Sequence, residues 1–114
     1  MRAADAWRCA QGQNKEYGNL AKGLPALIMN SGLLQVMAFL NEKGLKKGSQ
    51  EHCAVLGGHL RAWVNKRFSD IPAEFADFMK ALMSAEPRKF QMVTAECLAW
   101  LRWLRQMAAA VGEG

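Results

Sequence analysis

The chain lacks the features that mark secreted and membrane proteins. Its three cysteines, Cys9, Cys53 and Cys97, are odd in number and far apart, whereas a disulfide framework needs paired cysteines at closer spacing. No stretch approaches the roughly 18 uncharged apolar residues of a membrane span. The first residues, MRAADAWRCAQGQ, carry charge where a signal peptide has an apolar run. We therefore expect reduced thiols and a soluble, cytoplasmic protein without membrane contact.

The sequence also has little material for strands, because few of its residues are Val, Ile or Thr. Apolar residues recur instead at the spacing of helices. A length of 114 residues is typical of one domain. We therefore predict an all-α fold: a compact bundle of about five to six helices that forms a single domain over residues 1–114, with a frayed tail at 112–114.

Turn residues, caps and prolines divide the chain into six predicted helices. Proline suits a first helical turn, which does not need the missing N–H group, so Pro25, Pro72 and Pro87 are expected near helix starts. The predicted helices run from residue 2 to about 22 with an interruption at Gly12 or Gly18, from 25 to 30, from a cap at Ser31 to Gly44, from Ser49 to Phe68, from a cap at Asp70 through Leu82, and from about 87 to 111.

Two apolar stripes run along the last predicted helix, and one of them contains Trp100, Trp103 and Met107. A helix with two stripes has neighbours on more than one side, which is typical of a central core helix. Part of the Trp100 and Trp103 stripe could instead face a partner subunit. The sequence leaves both interpretations open.

No motif for catalysis or metal binding is present. His52 and His59 lie on one predicted helix, but zinc needs further ligands, and no CxxC, HExxH or carboxylate cluster supplies them. The glycine-rich motifs that bind nucleotide phosphates are also missing. We predict a binding protein that is not an enzyme, with no catalytic residues, no metal and no cofactor.

The charge balance is basic, with 15 Lys and Arg against 10 Asp and Glu, for a net charge of +5. On a chain of this size, such an excess favours a polyanion as partner, although each cluster alone also fits an ordinary solvated face. No aromatic-rich RNA-binding motif accompanies the clusters, so we expect contact with the phosphate backbone without reading of bases. The candidate RNA contacts are Lys43, Lys46 and Lys47, then Arg61, Lys66 and Arg67, and finally Lys15 and Lys22.

One segment of the chain carries a more specific pattern. Residues 17–40 read YGNLAKGLPALIMNSGLLQVMAFL, and residues 94–108 read TAECLAWLRWLRQMA. Both resemble the Cmr small-subunit family, the small subunit of type III-B CRISPR RNA-guided effector complexes. The matching positions are Tyr17, Leu24 to Ile28, Asn30 to Leu33, Gln35 and Ala38-Phe39, together with the closing helix.

The resemblance implies a role in antiviral defence as a non-catalytic subunit. Its partners would be other subunits of the Cmr effector complex and copies of itself, which stack head to tail into a minor filament. Guide RNA and target RNA would be held through their phosphate backbone. The resemblance carries over no binding residue, so the RNA contacts rest on charge alone. A general helical protein–protein adaptor without RNA contact, or the related small subunit of a type III-A complex, are the alternatives.

Overall fold

Six helices form the described part of the chain, residues 1–46 and 50–112, in the computed structural model of the protein. No strand occurs within those two ranges. The predicted all-α bundle is therefore confirmed, whereas the proposed helix start at Ser49 and the end of the predicted tail, residues 113–114, lie outside the described residues. The helices are α1 (Arg2–Ala10), α2 (Lys15–Ser31), α3 (Leu33–Gly44), α4 (Glu51–Arg67), α5 (Phe75–Ser84) and α6 (Pro87–Val111).

The interruption of the first predicted helix falls at Gly12, which is one of the two predicted positions. Gly12 has φ 72°, in the left-handed region that glycine adopts without a steric penalty. Two residues later, Asn14 caps α2 by accepting a hydrogen bond from the backbone N–H of Tyr17 at 2.9 Å. The other predicted position, Gly18, lies inside α2.

The prediction that a helix begins at Pro25 is wrong, because Pro25 lies inside the continuous helix α2. A proline at this position removes one backbone donor, which normally disfavours a helix interior. Here the apolar face of the helix continues across the proline and is buried on both sides of it, so tertiary packing offsets the local cost. The buried residues of that face are Tyr17, Ala21, Leu24 and Ile28.

Two predicted caps are also wrong. Gly32, with φ 85°, ends α2 and begins α3 without a side-chain cap, so Ser31 belongs to the last turn of α2. The fifth helix is capped by Glu74, which accepts a hydrogen bond from the N–H of Asp77 at 2.9 Å. Asp70 instead pairs with Lys89 of α6 at 2.7 Å.

The segment before α5 explains why the fifth helix begins later than predicted. This segment is irregular and is attached to the bundle through the buried Ile71, so Pro72 does not lie in a helix. Pro87, in contrast, is the first residue of α6, as predicted.

The long helix α6 is central, as its two apolar stripes indicated. It packs against α1, α2 and α4. The stripe of tryptophans divides between core and surface: Trp100 is fully buried, whereas Trp103 keeps 43% of its surface exposed. All six helices contribute side chains to one apolar core.

Two carboxylates are buried where α1, α4 and α6 meet, and the first of them is Asp5. It accepts a hydrogen bond from the indole N–H of Trp100 on α6 at 3.0 Å. It also accepts hydrogen bonds from Lys66 on α4 at 2.7 Å and from Arg8 at 3.0 Å. One carboxylate of α1 thus joins three helices.

The second buried carboxylate, Glu96 of α6, binds side chains of α1 and α4. Arg2 of α1 donates two hydrogen bonds to it, at 2.6 and 2.9 Å. The indole N–H of Trp63 on α4 donates a third at 3.0 Å, and Arg67 of α4 lies 3.7 Å away. The short helix α1 is therefore held at two points by ion pairs that include buried oxygen atoms.

Both carboxyl groups stay ionised in this setting. Burial by itself would raise the pKa of Asp5, but hydrogen bonds from Lys66 and Arg8 hold that pKa below its ordinary value of 3.8. The pKa of Glu96 is lowered in the same way, against burial, by the hydrogen bond from Arg2. A lowered pKa means that each carboxylate stabilises the fold above its ordinary pKa and ceases to do so as the pH falls through the lowered value.

We expect Asp5→Asn to lower the free energy of unfolding at pH 7 by about 1 to 2 kcal/mol, because hydrogen bonds to charged groups are lost. The difference from wild type should shrink as the pH falls below about 4, where the wild-type carboxylate also becomes protonated. Urea denaturation followed by circular dichroism at several pH values measures both effects. Asp70→Asn is the matched control, since its pair with Lys89 is exposed and should matter less. Equal stability of the two variants at pH 7 would contradict the role given to Asp5.

Candidate nucleic-acid interface

Six of the eight cations predicted to contact RNA lie on three helices. Their surroundings differ, and the difference decides which of them have donors free for a ligand. Lys47 lies outside the described residues. The others are Lys43 in the last turn of α3, Lys46 two residues beyond that helix, Arg61, Lys66 and Arg67 on α4, and Lys15 and Lys22 on α2.

Arg61 is engaged inside the protein. Its Nε donates a hydrogen bond to the backbone carbonyl of Ala73 at 2.8 Å, and its guanidinium lies 5.6 Å from the centre of the Phe75 ring. Burial lowers the pKa of Arg61. This side chain attaches the irregular segment before α5 to α4, and we assign it a mainly structural role.

The two cations that end α4 differ from each other. Lys66 donates its hydrogen bond to the buried carboxylate of Asp5. Arg67 is 3.7 Å from Glu96, which is too long for a hydrogen bond, and it makes none to any residue in the described ranges. Lys66 is therefore committed to the fold, whereas the donors of Arg67 remain available.

The cations at the end of α3 have weaker partners. The ammonium of Lys43 lies 5.6 Å from the centre of the Phe39 ring. Lys46 is exposed and forms no ion pair within the described part of the chain. Lys43 is thus partly exposed beside an aromatic ring, whereas Lys46 is open to solvent.

The two cations of α2 line an open groove of about 510 Å³ between the start of α2 and the end of α6. Across the groove from Lys15 and Lys22 stands a third cation, Arg105 of α6. None of the three is within 4.0 Å of a carboxylate among residues 1–46 and 50–112. The amides of Asn14 and Asn19 add polar groups to the same lining.

Arg105 was missed by the sequence analysis. It lies three residues after Arg102 in the closing helix, and nothing in the local sequence shows that this part of α6 lies beside the start of α2. Its place in the helical repeat is a weak signal, because Arg105 lies four residues after the buried Leu101 and therefore next to the buried face of α6.

The histidines have no ligand-binding arrangement around them. Nδ1 of His59 lies 2.8 Å from the hydroxyl of the buried Tyr17, and burial lowers the pKa of His59. In the described ranges, no group of three or more His, Cys, Asp or Glu side chains is placed to hold a metal ion.

Among the same residues, no helix combines the length and apolar character needed to cross a bilayer.

Comparison with known proteins identifies the family. The sequence model of the family described as CRISPR-associated protein (Cas_Cmr5) matches residues 1–111. The chain belongs to the Cmr5 family. The resemblance to the Cmr small-subunit family that residues 17–40 carry is thereby confirmed.

Relatives in Thermus thermophilus agree with this assignment. The chain is 29% identical over 105 residues to the "CRISPR system Cmr subunit Cmr5" of that organism, and the match covers 91% of this chain and 82% of the relative. The crystal structure of a CRISPR-associated Cmr5 family protein from Thermus thermophilus is similar with a TM-score of 0.71 and 24% identity. That match covers 96% of this chain and 88% of the other, and it shows a shared fold.

The contrast between Lys66 and Lys22 gives a test of which basic residues belong to the fold. Lys66→Glu would place a second carboxylate beside buried Asp5, so we expect the free energy of unfolding to fall by about 2 kcal/mol. Lys22→Glu makes the same charge change on an exposed side chain and should stay within about 0.5 kcal/mol of wild type. Urea denaturation measures both. If Lys66→Glu is as stable as Lys22→Glu, Lys66 is an ordinary solvated charge.

Proposed function

We propose that the chain is a non-catalytic small subunit of a type III-B CRISPR (Cmr) ribonucleoprotein effector, which acts in the cytoplasm in antiviral defence. Copies of it stack into a minor filament and help to hold guide RNA and target RNA. Membership of the Cmr5 family supports the place in a Cmr complex. The observation that carries the RNA contact is the groove with three cations that have no carboxylate partner among the described residues.

The groove suits the phosphate backbone for three reasons. Lys15, Lys22 and Arg105 are exposed, so a phosphate can reach them without displacing a side chain. A cation without an acidic partner can neutralise a phosphate and release the counterions condensed on the nucleic acid, which is a large source of affinity for nucleic acids. The planar guanidinium of Arg105 can donate two parallel hydrogen bonds to two phosphate oxygens, and the side-chain amides of Asn14 and Asn19 supply neutral donors.

The remaining candidate cations differ in whether their donors are free to contact RNA. Arg67 and Lys46 have free donors and join the groove residues as RNA contacts. Lys43, in the last turn of α3, stays a proposed contact, as does Lys47, which lies outside the described residues. Arg61 and Lys66 act mainly by stabilising the fold, so their effect on RNA would be indirect.

Stacking explains how a subunit with few phosphate contacts holds RNA. A single copy offers the three cations of one groove, which supports only weak binding. Several copies in register would present their grooves to the same RNA, and affinity would rise through effective concentration without any new kind of contact.

We expect the double variant Lys15→Glu, Lys22→Glu to weaken retention of target RNA by the assembled complex. The loss should be greatest at low salt, and the slope of log affinity against log salt should fall by roughly 0.7 to 0.9 for each lost phosphate contact. Filter binding across a salt series measures both quantities. Lys80→Glu, Arg88→Glu is the matched control, because it makes the same charge change at exposed positions outside the groove.

Three results would contradict the proposal at different levels. If the groove variant and its control retain RNA equally, the groove is not the RNA-contacting surface. If complexes with and without the whole subunit bind RNA equally, the chain is a protein–protein adaptor. If the chain assembles only with subunits of a type III-A complex, the assignment to type III-B is wrong.

A further inference from the structure

A second, smaller cleft lies at the opposite end of α1 from the groove. It measures about 310 Å³, near the lower limit for small-molecule sites, which are about 300 to 1,000 Å³. Such a volume suits one flat group better than a duplex. The cleft is lined by Met1, Arg2, Ala3, Trp63, Arg67 and Trp103.

The cleft has an aromatic wall that solvent reaches. Trp103 borders it with 43% of its surface exposed, and its indole N–H donates no hydrogen bond to a residue of the described ranges. Trp63 lines the same cleft but is almost fully buried, and its N–H is fixed on Glu96. One indole is thus anchored, while the other presents an aromatic surface to solvent.

Two guanidinium groups share the cleft with these indoles. Arg2 is held in place by its two hydrogen bonds to Glu96. Arg67 is 53% exposed and makes no hydrogen bond to a described residue. The charges of Arg2 and Arg67 exceed that of Glu96, so the cleft is net positive, which favours an anionic group such as a phosphodiester.

We infer that this cleft holds one unpaired nucleotide of single-stranded RNA, with its base stacked on Trp103 and its phosphate accepting hydrogen bonds from Arg67. The inference rests on the proposed RNA contact and adds to it a site that tells single strands from duplexes. Unstacked bases of single-stranded RNA commonly stack on aromatic side chains, and every base has a face for such stacking. The site therefore needs no reading of base edges.

The chemistry favours a nucleotide over an acidic peptide as the occupant. A peptide carboxylate would use Arg67 but would leave the exposed indole of Trp103 without a flat partner. A nucleotide satisfies the cation and the aromatic surface at once, because its phosphate and its base are joined by one sugar.

The test compares two tryptophans of similar exposure in the full-length protein. Trp103→Ala removes the aromatic wall, and Trp7→Ala is the matched control, because Trp7 is 46% exposed and lies outside the cleft. Fluorescence anisotropy measures binding to a labelled oligouridylate and to an RNA duplex of equal length. We expect Trp103→Ala to weaken oligouridylate binding about tenfold, which is within the usual range for one stacked base. Duplex binding should not change.

Further variants separate stacking from loss of structure. Trp103→Phe keeps an aromatic face and should retain most of the affinity for oligouridylate, whereas Trp7→Ala should bind like wild type. An oligouridylate with 5-iodouridine should crosslink on irradiation to Trp103 and not to Trp7, as identified by mass spectrometry.

Four outcomes would overturn the inference. If Trp103→Ala binds oligouridylate as Trp7→Ala does, while Lys15→Glu, Lys22→Glu weakens it, phosphate contact stands and stacking fails. If Trp103→Ala weakens duplex binding equally, the cleft does not select single strands. If wild-type protein binds neither RNA even at low salt, where the weak phosphate contacts of a single copy are strongest, the proposed RNA contact fails as well. If Trp103→Ala leaves the affinity for RNA unchanged, and Arg67→Glu but not Trp103→Ala abolishes binding of polyglutamate, the occupant is an acidic peptide.

Discussion

The structure depends on two buried carboxylates that join α1 to the rest of the bundle. A helix of nine residues is too short to be stable alone, so α1 must gain its stability from the surface on which it lies. Its apolar contribution is small, because Ala6, Cys9 and Ala10 supply most of the buried face. Asp5 and Glu96 add charged hydrogen bonds and satisfy two indole N–H groups that the core would otherwise leave without partners. This arrangement also fixes the position of Trp63, and with it one wall of the smaller cleft.

The helical architecture was predictable because it follows from local information. The two apolar stripes of α6 predicted a helix with neighbours on more than one side, and Pro87 marked the start of α6. The errors arose where tertiary contacts outweigh local preference. Pro25 suits a helix start by its chemistry, but the buried face of α2 continues across it. Asp70 suits a cap, yet Lys89 lies close enough to pair with it.

The basic surface was only partly predictable, for a related reason. Sequence places Arg61, Lys66 and Arg67 together, but it does not show which of them have acidic partners. Lys66 and Asp5 are separated by 61 positions in the chain, and only the packing of the helices brings them to 2.7 Å. Arg105 and Lys15 likewise meet at the groove only because α6 packs against α2. A count of charges along one helix therefore overstates the number that remains free for a ligand.

The partly buried ion pairs of Asp5 and Glu96 should respond to salt differently from the exposed cations of the groove. Mobile ions screen charges that are exposed to water, with a Debye length of about 10 Å at 0.1 M salt and about 3 Å at 1 M, but they screen partly buried pairs much less. The exposed cations of the groove would thus lose their hold on a polyanion in concentrated salt, while the bonds between helices persist. Concentrated salt should therefore release nucleic acid from the protein without unfolding it. Lysine and arginine side chains thus form salt-sensitive contacts where they are exposed and salt-resistant contacts where they pair with a buried carboxylate.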